Sequence, residues 1–228
     1  MRACHKARKG GQMPELNFEI VGAEIAIFAA VPTLLFKLHI SNTHPQERVQ
    51  SIMLKAQVQI AATQRRYSPA AKEQLLDVFG EPQRWSETLR SFLWTHTSTC
   101  IPTFTTEITA DLPITCSYDF EVVSTKYFAA LEDGEIPLNF LFSGTIFYTT
   151  EAGLVQIGQI SWSKEAAYRL PVTLWRQMIQ HYYPNSAWLR MHKDVFDQLY
   201  QYKTQQGLPT LEDALTKLLE AQKEGVQR

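Results

Sequence analysis

Two stretches of strict alternation constrain the fold more than any other feature of this sequence. Leu34, Phe36, Leu38 and Ile40 alternate with Leu35, Lys37, His39 and Ser41. Further on, Ile52, Leu54, Ala56, Val58 and Ile60 alternate with Met53, Lys55, Gln57 and Gln59. Successive side chains of a strand point to opposite faces, so this pattern commits the chain to sheet with one face in a core and one in water. The polar, turn-rich Asn42–Pro45 stretch has a length that suits antiparallel pairing of the two strands. Before them, Leu16, Phe18 and Ile20, then Ile25 and Ile27, predict a broken strand or hairpin interrupted at Gly22.

The period then changes. Ser68-Pro69 supplies an N-cap and a first-turn proline, and Leu75, Leu76 and Phe79 form a stripe that stops at Gly80, which predicts a short helix. Trp85, Leu89, Phe92, Leu93 and His96 recur at spacings of three and four after Pro82 and predict a second helix. Residues 68–96 therefore read as a helical pair inserted between strands. Alternation from Ile114 to Val122 predicts the next strand, and Pro137 to Tyr148, apolar on nearly both faces, predicts a central strand covered on both sides. A turn at Glu151-Ala-Gly153 and a strand from Leu154 to Trp162 continue the meander. From Pro171 the stripes are helical: Val172 to Tyr182, then Val195 to Tyr202, then Leu211 to Leu219, the last opened by a capping-box-like Thr210 and Asp213. Strands first and helices last is an α+β arrangement: an antiparallel β-sheet or open sandwich with an inserted helical pair and a C-terminal helical subdomain over 171–228.

Composition narrows the class. With 45% hydrophobic and 20% charged residues the chain is an ordinary globular protein, and a formal net charge of −1 lacks the basic excess of a nucleic-acid binder. The longest apolar run, Ile25 to Val31, is far shorter than a membrane-spanning helix requires. Cys4, Cys100 and Cys116 form no C-x-x-C pair, which points away from a zinc knuckle or disulfide framework and toward a reducing cytoplasm. Residues 1–12 hold Arg2, Lys6, Arg8 and Lys9 with no acid and no following apolar segment. They read as a disordered basic extension preceding one α+β domain over 13–228.

Motifs that carry chemistry are sparse. His96 and Cys100 stand four apart, which on a helix places imidazole and thiol on one face, the one arrangement here suited to a cysteine-dependent hydrolase. Cys116 falls on the apolar side of its strand and reads as a core residue. Glu132, Asp133 and Glu135 make an acidic turn without the ligand spacing of a calcium loop, and Arg65-Arg66-Tyr67 reads as a solvated helix entry. No cofactor motif is present, so the expectation is a cofactor-free, non-enzymatic protein. The aromatic load of the C-terminal part is more informative, because Tyr and Trp favour partner-binding surfaces. Around the break at Pro184-Asn185, Tyr182, Tyr183, Trp188 and Tyr202 are the expected partner contacts, with Tyr183 out of phase with the Trp175, Ile179 and Tyr182 stripe.

Several motifs also carry a resemblance. Met13-Pro-Glu-Leu-Asn-Phe-Glu-Ile20, Phe79-Gly-Glu-Pro82 with Trp85, Leu93-Trp-Thr-His96, Tyr118-Asp-Phe-Glu-Val122, Leu131-Glu-Asp-Gly134, Phe142-Ser-Gly-Thr145 and Tyr182-Tyr-Pro-Asn-Ser-Ala-Trp-Leu189 resemble an uncharacterised bacterial family, a domain of unknown function often encoded near nickel–iron hydrogenase genes. The resemblance covers nearly everything after Met13. It implies an accessory protein that binds another protein, a hydrogenase subunit or maturation factor, and it supplies no catalytic residues. The order of strands over 32–60 followed by Leu170-Pro171, Tyr183-Pro184 and Val195 to Tyr200 is also similar to the export chaperone SecB. That likeness implies a holdase that forms homo-oligomers.

Overall fold

The alternating segments become eight strands in a computed structural model that describes residues 13–117, 119, 122–186 and 190–226. They are β1 (Leu16–Ile25), β2 (Thr33–Asn42), β3 (Arg48–Ile60), β4 (Phe92–Ile101), β5 (Glu107–Thr115), β6 (Glu135–Thr149), β7 (Val155–Gln159) and β8 (Glu165–Pro171). Four helices are short: α1 (Pro69–Gln74), α2 (Leu76–Phe79), α3 (Trp85–Thr88) and α4 (Val123–Ala129). Three longer ones end the chain: α5 (Val172–Tyr182), α6 (Lys193–Gln205) and α7 (Leu211–Val226). The α+β expectation holds, with every ladder antiparallel.

The strands form two sheets, ordered β1-β2-β5 and β4-β3-β6-β7, with β8 also on β6. The two alternating segments that open the sequence do not pair with each other, as their short connection suggested. β2 pairs with β1 and β5, β3 pairs with β4 and β6, and the loop between them crosses from one sheet to the other. Asn42, buried at that crossing, explains how so short a loop is held. Its Nδ2 donates to the carbonyls of His44, Glu47 and Thr105, each at 3.0 Å.

Inner faces of the two sheets meet in an aromatic core. Phe18 stacks on Phe142 at 4.8 Å, and Phe36 meets Phe140 edge-on at 5.1 Å. Leu34, Leu38, Ile40, Ile52, Leu54 and Ile60 fill the rest and are fully buried. At one seam β4 and β5 meet through side chains instead of a backbone ladder, since Thr97 Oγ1–H donates to Pro113 O at 2.6 Å. At the opposite seam β1 runs beside β8, entered by an ion pair between Lys164 and Glu15. β6 is central as expected, with β3 on one edge and β7 and β8 sharing the other, but only one of its faces is covered. Leu141 and Phe147 on the outward face stay half-exposed and Ser143 is exposed. One close approach depends on glycine: a Cβ on Gly144, at φ +150°, would lie 2.2 Å from Met53 O of β3.

The inserted segment differs from its predicted form. Ser68 Oγ caps α1 as expected, accepting from Ala71 N–H at 3.1 Å, but the second helix stops at Thr88 and Phe92 opens β4. The physical reason lies in Thr95, Thr97 and Thr99, β-branched residues at every second position, which a strand accommodates better than a helix. The strand expected from Ile114 to Val122 instead ends at Thr115, and α4 begins at Val123; Tyr118, Phe120 and Glu121 lie outside the described residues. α4 was not foreseen, nor was β8, because neither has a repeat long enough to show a period. Tyr127 of α4 is fully buried among Tyr67, Phe79 and Phe92, with its hydroxyl 2.9 Å from that of Tyr67. Burial first, and then the adjacent Tyr67, pushes its phenol well above the ordinary tyrosine range.

The chain divides into two compact units, residues 1–187 and 188–228, so α5 belongs with the sheets and the C-terminal unit begins later than residue 171. In that second unit α6 and α7 bury Leu199 and Ala214. The capping box is real. Asp213 N–H donates to Thr210 Oγ1 at 3.0 Å and Thr210 N–H donates to Asp213 Oδ2 at 3.1 Å.

Candidate functional site

Two surfaces of the first unit present side chains that the core does not use. The first is the tip of the β1–β2 hairpin, residues 26–31, whose sequence Ala-Ile-Phe-Ala-Ala-Val has no polar side chain. A loop of this composition would ordinarily fold inward. Here Phe28 is 95% exposed, with Ile27 at 52% and Val31 at 47%. Its backbone is fastened from within: Ala26 N–H donates to Thr33 O at 3.0 Å and Ala29 N–H to Ala26 O at 2.9 Å. It is fastened again from α5, where the Tyr182 hydroxyl donates to Ala26 O and His181 Nε2 lies 3.3 Å from Ile27 O.

The second surface is the outward face of the larger sheet. The small sheet's outward face is strongly charged, with Lys37 bridging Glu24 and Asp111 at 2.7 Å each and His39 near Glu107 at 3.7 Å. The larger sheet carries Met53, Gln57, Leu141 and Ser143 there, and Lys55 is the charged side chain in an open groove of about 820 Å³. Trp162, 89% exposed in the β7–β8 turn, borders that groove.

Of the expected partner contacts, Tyr182 is half-buried and acts as a strut for the hairpin tip, while Tyr183 is half-buried at the end of α5, its N–H donating to Ile179 O at 2.8 Å. Tyr202 is half-buried in the second unit, and Trp188 lies outside the described residues. The break at Pro184-Asn185 is where it was expected, with Asn185 at φ 51°. The exposed anchor that sequence reasoning missed is Phe28. Its one trace in the sequence is the apolar Ile25–Val31 run closed by Pro32, which reads equally as a core strand.

The hydrolase arrangement is not assembled. His96 and Cys100 lie on strand β4, both exposed on its outward face and four residues apart, so they are separated by about 13 Å instead of sharing a helix turn. Their cross-strand neighbours are Gln57 and Met53. Cys116 is 3% exposed, and burial pushes its thiol up to about 12, as suits an inert core residue. Arg65 is not solvated as expected. It clasps the acidic turn, donating from Nη1 to Glu135 O at 2.6 Å and from Nη2 to Asp133 O at 2.5 Å. The carboxylates of that turn point outward, and among the described residues no three His, Cys, Asp or Glu side chains converge as a metal would require. No helix among the described residues is long and apolar enough to cross a membrane.

No curated protein matches this sequence. A solved structure described as the ApaA protein of Bordetella pertussis is similar over 71% of this chain and 96% of its own, at 10% identity and a TM-score of 0.23, too low to bear on fold or function. A family model does match, from Met13 through residue 227, and on that match the chain belongs to the Family of unknown function (DUF6084).

Proposed function

We propose that this protein is a non-enzymatic, cytoplasmic accessory protein that binds another protein, and that the hairpin tip around Phe28 is its principal contact. The supporting observation is the combination of near-complete exposure with a fastened backbone: an aromatic side chain 95% exposed on a loop whose backbone is bonded by its own turn and by α5. Because the loop backbone is already ordered, docking through it costs less conformational entropy than ordering a free loop would. Tyr182 and His181 then act as positioning residues for the tip. The family resemblance makes nickel–iron hydrogenase subunits and their precursors the first partners to test.

Affinity capture from the native host with wild-type chain and Phe28→Ser tests the reading. An anchor of about 2 kcal/mol corresponds to roughly 30-fold in affinity. The defined partner should therefore be lost from the Phe28→Ser capture while the melting temperature moves by less than about 2 °C, as for other exposed substitutions. Equal capture by both proteins removes the tip from the proposal. A broad spectrum of unfolded clients in place of one partner replaces it with a holdase.

A further inference from the structure

One edge of β7 is left unpaired among the described residues. Thr150 N–H donates to Leu154 O and Ile160 N–H donates to Gly144 O, each at 2.9 Å, which turns the backbone groups of residues 154, 156, 158 and 160 toward β6. By the alternation of an antiparallel ladder, the N–H and C=O groups of Val155, Ile157 and Gln159 face the other way, and β7 has no second strand neighbour among the described residues. Exposed edges of this kind are ordinarily protected by a lysine, a proline or a bulge. β7 has none of these, and the chain is uncharged from Ala152 through Ser163. Leu154, Val155 and Ile157 are 60%, 67% and 66% exposed.

We propose that β7 pairs antiparallel with β7 of a second copy about a two-fold axis through Ile157. In that register Ile157 exchanges both backbone bonds with Ile157 of the partner copy, and Val155 and Gln159 exchange theirs with each other. The side-chain rows continue across the axis. Phe147 stands opposite Ile157 on the outward face, so the central row becomes Phe–Ile–Ile–Phe and is wholly apolar. A two-fold contact sets the residue at the axis against its own copy, which penalises charge there and favours an apolar residue such as Ile157. Glu151 and Lys164 both lie outside the paired strand, and Lys164 is taken up by Glu15, so the paired run sets no like charges together across the axis. An uncharged aliphatic edge that matches itself about the axis selects a second copy over a charged or polar extended peptide. Met13 packs against Gly158 of β7, so residues 1–12 of the same chain are the competing occupant that experiment must separate from a second copy. The contact uses neither Phe28 nor α5, so it stands or falls separately from the proposed function.

Sedimentation of the full chain over a wide concentration range, with hydrogen exchange followed at single amides, tests the pairing. The expected result is a dimer in which the amides of Val155, Ile157 and Gln159 gain protection as concentration rises, while those of Gln156 and Gly158 are protected throughout. Ile157→Lys, which sets two cations together at the axis, should raise the dimer dissociation constant at least tenfold with unchanged circular dichroism. If Ile157→Lys does not fold, the exchange pattern of the wild-type chain decides alone. A monomer at every concentration overturns the proposal, as does a dimer whose edge amides exchange freely. Protection that is independent of concentration and lost from a chain starting at Met13 also overturns it, in favour of the chain's own first residues.

Discussion

Replacing Gly144 by alanine should damage this fold more than any other single methyl group added to a glycine described above. The Cβ would sit 2.2 Å from Met53 O, whereas real Cβ contacts essentially never fall under 3.0 Å, so β6 and β3 must separate locally by most of an ångström. Leu54 lies directly opposite Gly144, and the separation falls in the middle of that ladder. Losing about two ladder bonds costs about 2 kcal/mol. The non-glycine backbone at φ +150° adds about 1–3 kcal/mol. The total of about 3–5 kcal/mol, at about 2–4 °C per kcal/mol for a chain of this size, lowers the melting temperature by roughly 6–20 °C. Gly153→Ala is the internal comparison. It has φ +78° and nothing within 4 Å of the new methyl, so only the left-handed backbone cost of about 1–2 kcal/mol applies. Thermal melts followed by far-UV circular dichroism on the two variants decide the matter. If Gly144→Ala melts no lower than Gly153→Ala, the close approach is not what fixes that glycine.

Cys116 gives a pH prediction. Its folded-state thiol titrates near 12 against an ordinary 9.0, so the native state keeps the proton that the unfolded chain gives up; the stabilisation is complete below pH 9 and is lost as pH rises toward 12. Urea unfolding should show wild type losing about 1.4 kcal/mol between about pH 8 and pH 10 relative to Cys116→Ala, and parallel curves would refute the burial argument. In the second unit, Thr210→Ala removes the acceptor for Asp213 N–H, costing about 1 kcal/mol locally. Exchange of the first amides of α7 should then quicken about fivefold, and unchanged exchange would mean that the box contributes nothing.

The parts of this fold that were legible in the sequence are those whose pattern is long compared with its period. β1, β2, β3 and β6 could be read because Leu16 to Ile60 and Pro137 to Tyr148 repeat often enough to define a buried face, and the bulge at Gly22 could be read because the repeat slips there. Partner choice could not be read, since Phe36 and Val58 look the same on paired strands as on facing ones. β4 was misread because Trp85, Leu89 and Phe92 imitate a helical stripe across a helix that has already ended. For the candidate site, sequence singles out Tyr182 as an aromatic ring near a helix break, whereas the structure uses its hydroxyl, which donates to Ala26 O, a role that no sequence pattern encodes. Phe28 could not be placed from sequence, because an apolar run before a proline reads equally as a core strand.

The sheet topology also determines how this chain must find its way to the native state. β1 with β2 and β6 with β7 are near neighbours in sequence and can close as hairpins within microseconds. Every other large ladder joins distant segments: β5 returns to β2 from beyond the helical insertion, and β6 returns to β3 from beyond β5. Those closures must pay loop entropy before any contact rewards them, which places the chain among slow, high-contact-order folders. During that interval the two early hairpins stand with apolar faces open, and the β6–β7 hairpin carries the uncharged strand edge already formed. Refolding at high protein concentration is therefore where this molecule is most exposed to aggregation.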